Sequence, residues 1–302
     1  MLNDDIIRGI CAELDGFEAV LLSLGLASRI FLEPALDVLW KRMDSIELLL
    51  SVLPETTLVN GKKMFLKPIA PSSRDRLHFY TSRVREFYDW ERDERFVHDS
   101  VYAYLGHERP IFPKLRTLHI THRLCSSNSF TFFLATSLMV VSWPWHSRRG
   151  AVSSPDLGPS LAFLVSKSPG LKSLTLEEHT YSGLSLSLRR LLVLESLSVR
   201  RLSYLGADFI QTIALLPRLT DLSLTIPAAV VLDYTGVKGG FPSLTKITLE
   251  GSTSDTRKFL AAARPQALQD LTINFNLDDQ TPRPADIATI THSISSFPFL
   301  AI

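Results

Sequence analysis

The chain has 302 residues, with 32 basic against 31 acidic side chains, and this near-neutral balance speaks against a nucleic-acid partner. Its two cysteines, Cys11 and Cys125, make no disulfide framework and fit a reducing compartment, cytoplasmic or nuclear. No basic stretch leads into an apolar one at the N-terminus, and the run from Phe130 to Trp145 is shorter than the roughly 20 residues that span a bilayer, so no membrane is expected.

Residues 1–53 predict a helical subdomain. Asn3 is placed to cap a first helix, with Asp4 and Asp5 in the first turn, where the helix dipole favours acids. Ile6, Ile7, Ile10 and Leu14 follow on one apolar face, and Asp15-Gly16 is a stop. A second helix is expected from about Glu18 to Ser28, burying Val20, Leu21 and Leu24. A third is expected from about Glu33 to Met43, with Pro34 in its tolerant first turn and Leu36, Leu39, Trp40 and Met43 as its stripe. A fourth covers Ile46 to Leu53 and ends at Pro54.

Residues 54–110 read as a charged connector. Arg74 to Arg95 carries both signs, the pattern of a solvated helix face. Val84-x-x-Phe87, 31 residues before Leu115, reads as a degenerate first strand.

Residues 111–302 repeat. A proline followed two residues later by leucine recurs five times, at Pro113, Pro169, Pro217, Pro242 and Pro298, at intervals of 56, 48, 25 and 56. These are one or two steps of a unit near 25 residues. The skipped steps hold the same pattern without proline: Leu138-x-x-Val141-x-Trp143, Leu194-x-x-Leu197-x-Val199 and Leu268-x-x-Leu271-x-Ile273. Alternating apolar residues predict short strands with one buried face, near 116–121, 139–143, 172–177, 195–200, 220–225, 245–250 and 269–274. Each proline is expected to end the helix before it and turn the chain into the strand. Helical spacing lies between them, at Phe130, Phe133 and Leu134; Leu161, Leu164 and Val165; Phe209, Ile210, Ile213 and Ala214; Phe259, Leu260 and Ala263; and Ile287, Ile290 and Ile294. Strand then helix, once per unit, is the leucine-rich-repeat layout. The expected fold class is therefore α/β: a right-handed leucine-rich-repeat solenoid with a curved parallel sheet, helices outside and the N-terminal helices as a small cap. A generic α/β domain of βαβ units competes with it, but has no need of the Pro–Leu recurrence. Leu118, Leu174, Leu197, Leu222, Ile247 and Leu271 are expected to stack as one buried ladder.

A resemblance can now be named. Leu2-Asn3-Asp4-Asp5-Ile6-Ile7 resembles the Leu-Pro-x-Glu-Ile-Leu opening of an F-box, Ala27-Ser28-Arg29 its central Cys-Arg segment, and Leu39-Trp40 its closing Leu-Trp. With irregular repeats from about residue 112, the chain is similar to a group of basidiomycete F-box–like proteins. Asn3 stands where the family has proline, and Asp5 where it has glutamate. The resemblance implies that residues 2–40 dock the Skp-family adaptor of a cullin–RING ubiquitin ligase, with Leu2, Ile6, Ile7, Leu24 and Leu26 as the docking side chains. The repeats would then hold a protein substrate. The alternative is a non-catalytic repeat scaffold with a decayed F-box, whose apolar residues pack against residues 45–110.

Chemistry in the chain itself is not expected. His119-x-x-His122-x-x-Cys125 has metal-ligand residue types, but the first two point to opposite faces of a strand and no fourth ligand stands nearby. Neither a nucleophile elbow, a phosphate loop nor a His-Glu-x-x-His helix is present, so no enzyme, cofactor or metal is read. Trp143-Pro144-Trp145 is expected to open an exposed insertion running to Gly150, with Trp143 buried and Trp145 a candidate anchor. The residues that alternate with the buried leucines form the candidate binding face: Thr117, His119, Thr175, Ser198, Arg200, Asp221, Ser223, Lys246, Thr248, Asp270 and Thr272.

Overall fold

The computed structural model of the chain describes residues 3–88, 97–98, 100–106, 110–120, 132–143, 156–177, 181–201, 208–226, 237 and 240–275. They belong to two units, one within Met1–Ile120 and Ser129–Leu138, the other within Thr121–Asn128 and Met139–Ile302. The readings of Leu2, His122, Cys125, Phe130, Trp145, the 287–294 helix and the motif at Pro298 lie outside the described residues.

In the first unit, local capping sets the helices. Asn3 is extended and its Oδ1 accepts the Asp5 N–H at 3.1 Å, which starts α1 (Asp4–Glu13). After α2 (Glu18–Ala27), α3 (Arg29–Leu39) begins at Arg29 rather than near Glu33. Pro34 therefore lies inside the helix, not in its first turn, and removes one backbone hydrogen bond there. Trp40 caps α3, and Arg42–Met43 is a strand, β1, instead of the helix end expected from the apolar stripe. α2 and α1 both pack on α3, around a small core of Cys11, Leu21 and Ala35 ringed by Leu14, Phe31, Val38 and Leu39. Ser45 caps α4 (Ile46–Ser51), its Oγ accepting the Glu47 N–H at 3.0 Å.

The connector is more ordered than its charge suggests. β2 (Thr56–Val59) and β3 (Lys62–Phe65) form an antiparallel hairpin. Its two-residue turn, Asn60-Gly61, has φ of 50° and 77°, the left-handed pair that matches strand twist. α5 (Pro71–Thr81) starts on a proline, and Arg83 follows it. Arg83, expected on a solvated charged face, has a side chain that is only 10% exposed. It bridges Glu33 and Asp37 of α3 and lies 4.4 Å over the Phe79 ring. A charge taken out of water needs such partners, so this guanidinium ties α3 to α5. β4 (Glu86–Tyr88), α6 (Ser100–Gly106) and β5 (Thr117–His119) complete the unit. β1, β4 and β5 run parallel, with Met43, Phe87 and Leu118 in register and all buried. The degenerate strand at Phe87 thus exists, and one more strand precedes it.

The repeated motif is a β-turn. The Leu115, Leu171 and Leu244 N–H groups donate to the carbonyls of Phe112, Ser168 and Phe241 at 3.2, 3.2 and 3.4 Å, which puts proline at the second turn position, where its fixed φ fits. Two proline-free steps make the same turn, Leu138 to Ala135 and Leu194 to Leu191, each at 3.1 Å. Hence the proline favours the turn without being required for it, and the helix before Pro169 ends at Lys167, ahead of the turn.

The second unit carries β6 (Val140–Trp143), β7 (Ser173–Glu177), β8 (Ser196–Arg200), β9 (Asp221–Thr225), β10 (Lys246–Gly251) and β11 (Asp270–Phe275), parallel and in chain order. Its helices are α7 (Gly158–Lys167), α8 (Leu184–Leu188), α9 (Phe209–Ala214) and α10 (Thr253–Ala263). Each of β7 to β11 is entered the same way: the N–H groups of Lys172, Glu195, Thr220, Thr245 and Gln269 bond the carbonyls of Met139, Lys172, Glu195, Thr220 and Thr245 at 2.8–2.9 Å. Val141, Leu174, Leu197, Leu222, Ile247 and Leu271 lie in register. The first five are buried, as is Leu118 in the first unit. Leu271 departs from the expected ladder and is only half-buried. The predicted helix residues Leu161, Leu164, Phe209, Ile213, Phe259 and Leu260 are buried. The architecture is mixed α/β, with nine parallel strands among the described residues, three in the first unit and six in the second. Among the described residues no helix is long and apolar enough to cross a membrane.

Candidate functional site

Alternation sends every second side chain of a strand away from the leucines, and parallel register lines those side chains up at roughly 4.8 Å from strand to strand. Across β6–β11 the central row is Ser142, Thr175, Ser198, Ser223, Thr248 and Thr272. It is a hydroxyl on every strand. The row before it reads Ser173, Ser196, Asp221, Lys246 and Asp270, so Lys246 stands between two acids on its neighbouring strands. In the row after it, Glu177 faces Arg200, and Thr225, Glu250 and Asn274 are in line. Arg200, Lys246, Asp270 and Thr272 are exposed, and Thr175, Ser198, Asp221, Ser223 and Thr248 are half-buried. The Ser198 Oγ is itself buried and has no hydrogen-bond partner among the described residues.

The last of these rows opens into a pocket of ≈ 330 Å³ lined by Glu177, Arg200, Arg201, Ser223, Thr225, Thr248, Glu250 and Asn274. Strand order and register bring together residues 97 positions apart in the chain, from Glu177 to Asn274. Arg200 Nη1 lies 3.8 Å from Glu177 Oε1, a partly exposed pair worth about 0–1 kcal/mol. The Thr225 hydroxyl donates to Glu250 Oε2 at 3.0 Å. Arg201 was missed from sequence, since alternation places it opposite Arg200. Its φ of 51° breaks the strand and lets both guanidinium groups line one pocket. The arrangement offers donors, acceptors and charges of both signs.

In the first unit, Thr117 and His119 occupy the same alternate positions of β5 and are half-buried. The His119 ring stacks on Tyr88 at 4.5 Å and 9°, and the Tyr88 hydroxyl donates to Glu86 at 3.2 Å. Burial pushes the imidazole pKa down, against a smaller upward pull from Glu86, so His119 is neutral at neutral pH. The unfolded chain then takes up a proton at a higher pH than the folded one. Stability is fully present above the unfolded value of 6.5 and is lost as pH falls through the lower folded value. His119→Phe keeps the stack and removes that titration. Urea unfolding of the variant should show a smaller loss of stability between about pH 7 and about pH 5 than the parent does. An equal loss would mean that His119 protonates as freely in the folded chain.

The N-terminal helices present a different surface. Ile6 and Ile10 on α1, and Leu22 and Leu26 on α2, are exposed i, i+4 pairs, and Ile30 on α3 is exposed as well. Of the residues expected to dock a partner, Ile6 is 53% and Leu26 78% exposed, and Leu24 is half-buried. Ile7 is 2% exposed: it faces inward, one position round the helix from Ile6, and belongs to the core instead. Ile10, Leu22 and Ile30 extend the exposed set beyond the residues named from the F-box resemblance.

Among the described residues no group of three or more His, Cys, Asp or Glu side chains is placed to hold a metal ion. No family model matches the chain, and no curated protein matches it.

Proposed function

We propose that this chain is a non-catalytic adaptor of the F-box type. Its N-terminal helices dock a Skp-family protein of a cullin–RING ubiquitin ligase, and its strands, as a leucine-rich-repeat solenoid, hold a protein substrate in the cytoplasm or nucleus. The mechanism is effective concentration: the substrate is tethered beside the ubiquitin-charged enzyme, and this chain does no chemistry. One observation carries the reading. Large apolar side chains stand exposed on all three helices of residues 4–39, and apolar surface of that kind marks interaction sites. A decayed F-box would pack Leu2, Ile6, Ile7, Leu24 and Leu26 against residues 45–110; the exposure of Ile6 and Leu26 favours docking, while Ile7 is buried and Leu24 half-buried. The six-strand polar face supports the substrate-holding half of the proposal.

A pull-down with purified Skp-family adaptor tests it, comparing the parent with Asn3→Pro. The parent is expected to bind. Asn3→Pro restores the family's residue but gives up the cap on Asp5, about 1 kcal/mol, and is expected to fold and bind as well. Retention by neither protein would end the ligase reading. Binding by Asn3→Pro alone would mark an ancestral box that has lapsed, leaving a repeat scaffold.

A further inference from the structure

We propose that the pocket at the ends of β7–β11 recognises an extended peptide segment carrying an acidic and a basic side chain three residues apart. This deepens, and rests on, the reading of the polar strand face as the surface that holds a protein substrate. The charge pattern comes first. Two guanidinium groups, Arg200 and Arg201, and two carboxylates, Glu177 and Glu250, share one pocket and cancel. A ligand of one sign is attracted by half of this set and repelled by the other half. A ligand with both signs gains twice.

Geometry sets the spacing. Arg200 on β8 and Glu250 on β10 are separated by one intervening strand, β9, so their Cα atoms stand roughly 10 Å apart. A polyproline-type segment has three residues per turn and rises about 3.1 Å per residue, so positions i and i+3 fall on one side at roughly 9 Å. In a flat strand those two positions would point to opposite faces. Both protein groups have capacity to spare. The ion pair of Arg200, at 3.8 Å, is longer than a hydrogen bond, and a guanidinium has five N–H donors. Glu250 receives the Thr225 hydroxyl on Oε2, and Oε1 has no partner among the described residues. A polyproline-type backbone makes no internal hydrogen bonds, and Ser223, Thr248 and Asn274 supply hydroxyl and amide groups to meet it. At ≈ 330 Å³ the pocket is at the small end of ligand sites, suited to two side chains rather than to a large cofactor.

The test is to pan phage-displayed random dodecapeptides on the full chain and on Arg200→Glu. The parent should enrich peptides with an Asp or Glu three residues from a Lys or Arg. A synthetic copy of an enriched peptide should lose tenfold or more in affinity when either charge is replaced by its amide or by Gln. Arg200→Glu should enrich peptides with two basic residues, a gain that misfolding cannot mimic. No enrichment on the parent, enrichment without the charge pair, or the same peptides from both proteins would overturn the proposal. The same preparations go through the adaptor pull-down. Adaptor binding without charge-paired peptides overturns the pocket alone, and charge-paired peptides without adaptor binding overturn the ligase reading alone.

Discussion

Leu222→Ala is expected to destabilise the second unit by about 2–5 kcal/mol, read as a lower urea midpoint at unchanged slope. Leu222 is fully buried, with Leu197 and Ile247 beside it in register on the two neighbouring strands. Truncation removes transfer free energy and leaves a cavity that two parallel neighbours, fixed by their own backbone bonds, cannot close. Ser223, one residue on, points to the other face and is half-buried, so Ser223→Ala should stay within about 0.5 kcal/mol. The pair tests register as well as packing, because a slip of one residue exchanges the two faces. A larger loss at Ser223 than at Leu222 would show that the alternation is inverted.

The strands and their buried rows were legible because two local signals agree. Alternation of leucine with hydroxyl residues fixes which side is dry, and the first leucine of each motif, with or without proline before it, marks where the strand follows. That is why Leu118, Leu174, Leu197, Leu222 and Ile247 fall where expected. The misses have physical causes too. Pro34 suits a first helical turn, but α3 tolerates it in the interior, at the cost of one backbone bond. Arg42–Met43 is too short a strand to show a pattern of its own and is defined by pairing with Glu86 and Phe87. Asn60-Gly61 between Thr56–Val59 and Lys62–Phe65 is a hairpin signal that the surrounding charge obscured. Arg83 shows the opposite limit: its burial depends on Glu33 and Asp37, some fifty residues earlier, and no local pattern reports that. The pocket lies between these cases. Arg200, Ser223 and Thr248 lie on the expected face, whereas Arg201 joins them only through a left-handed backbone that alternation cannot anticipate.

Ile6→Asp is expected to abolish adaptor retention while leaving the chain folded. Ile6 is half-exposed and sits in the first turn of α1, beside Asp4 and Asp5, where an added carboxylate is favoured by the helix dipole. The substitution therefore costs the fold little. At an interface it places a charge where an apolar anchor is needed, and losses at such anchors run to about 2–4 kcal/mol, roughly 30- to 1,000-fold in Kd. Leu26→Asp should act in the same way from α2, since Leu26 is the most exposed large apolar side chain of that helix. Ile7→Asp is the informative contrast. It puts an unpaired carboxylate into the interior beside Ile6, so the N-terminal helices should unfold, and circular dichroism should register the loss. If Ile6→Asp and Leu26→Asp keep native spectra and lose the adaptor, the exposed faces of α1 and α2 are the docking surface. If both variants hold the adaptor as tightly as the parent, those side chains are solvent-facing and nothing more. The N-terminal helices would then serve only as a helical subdomain of their unit.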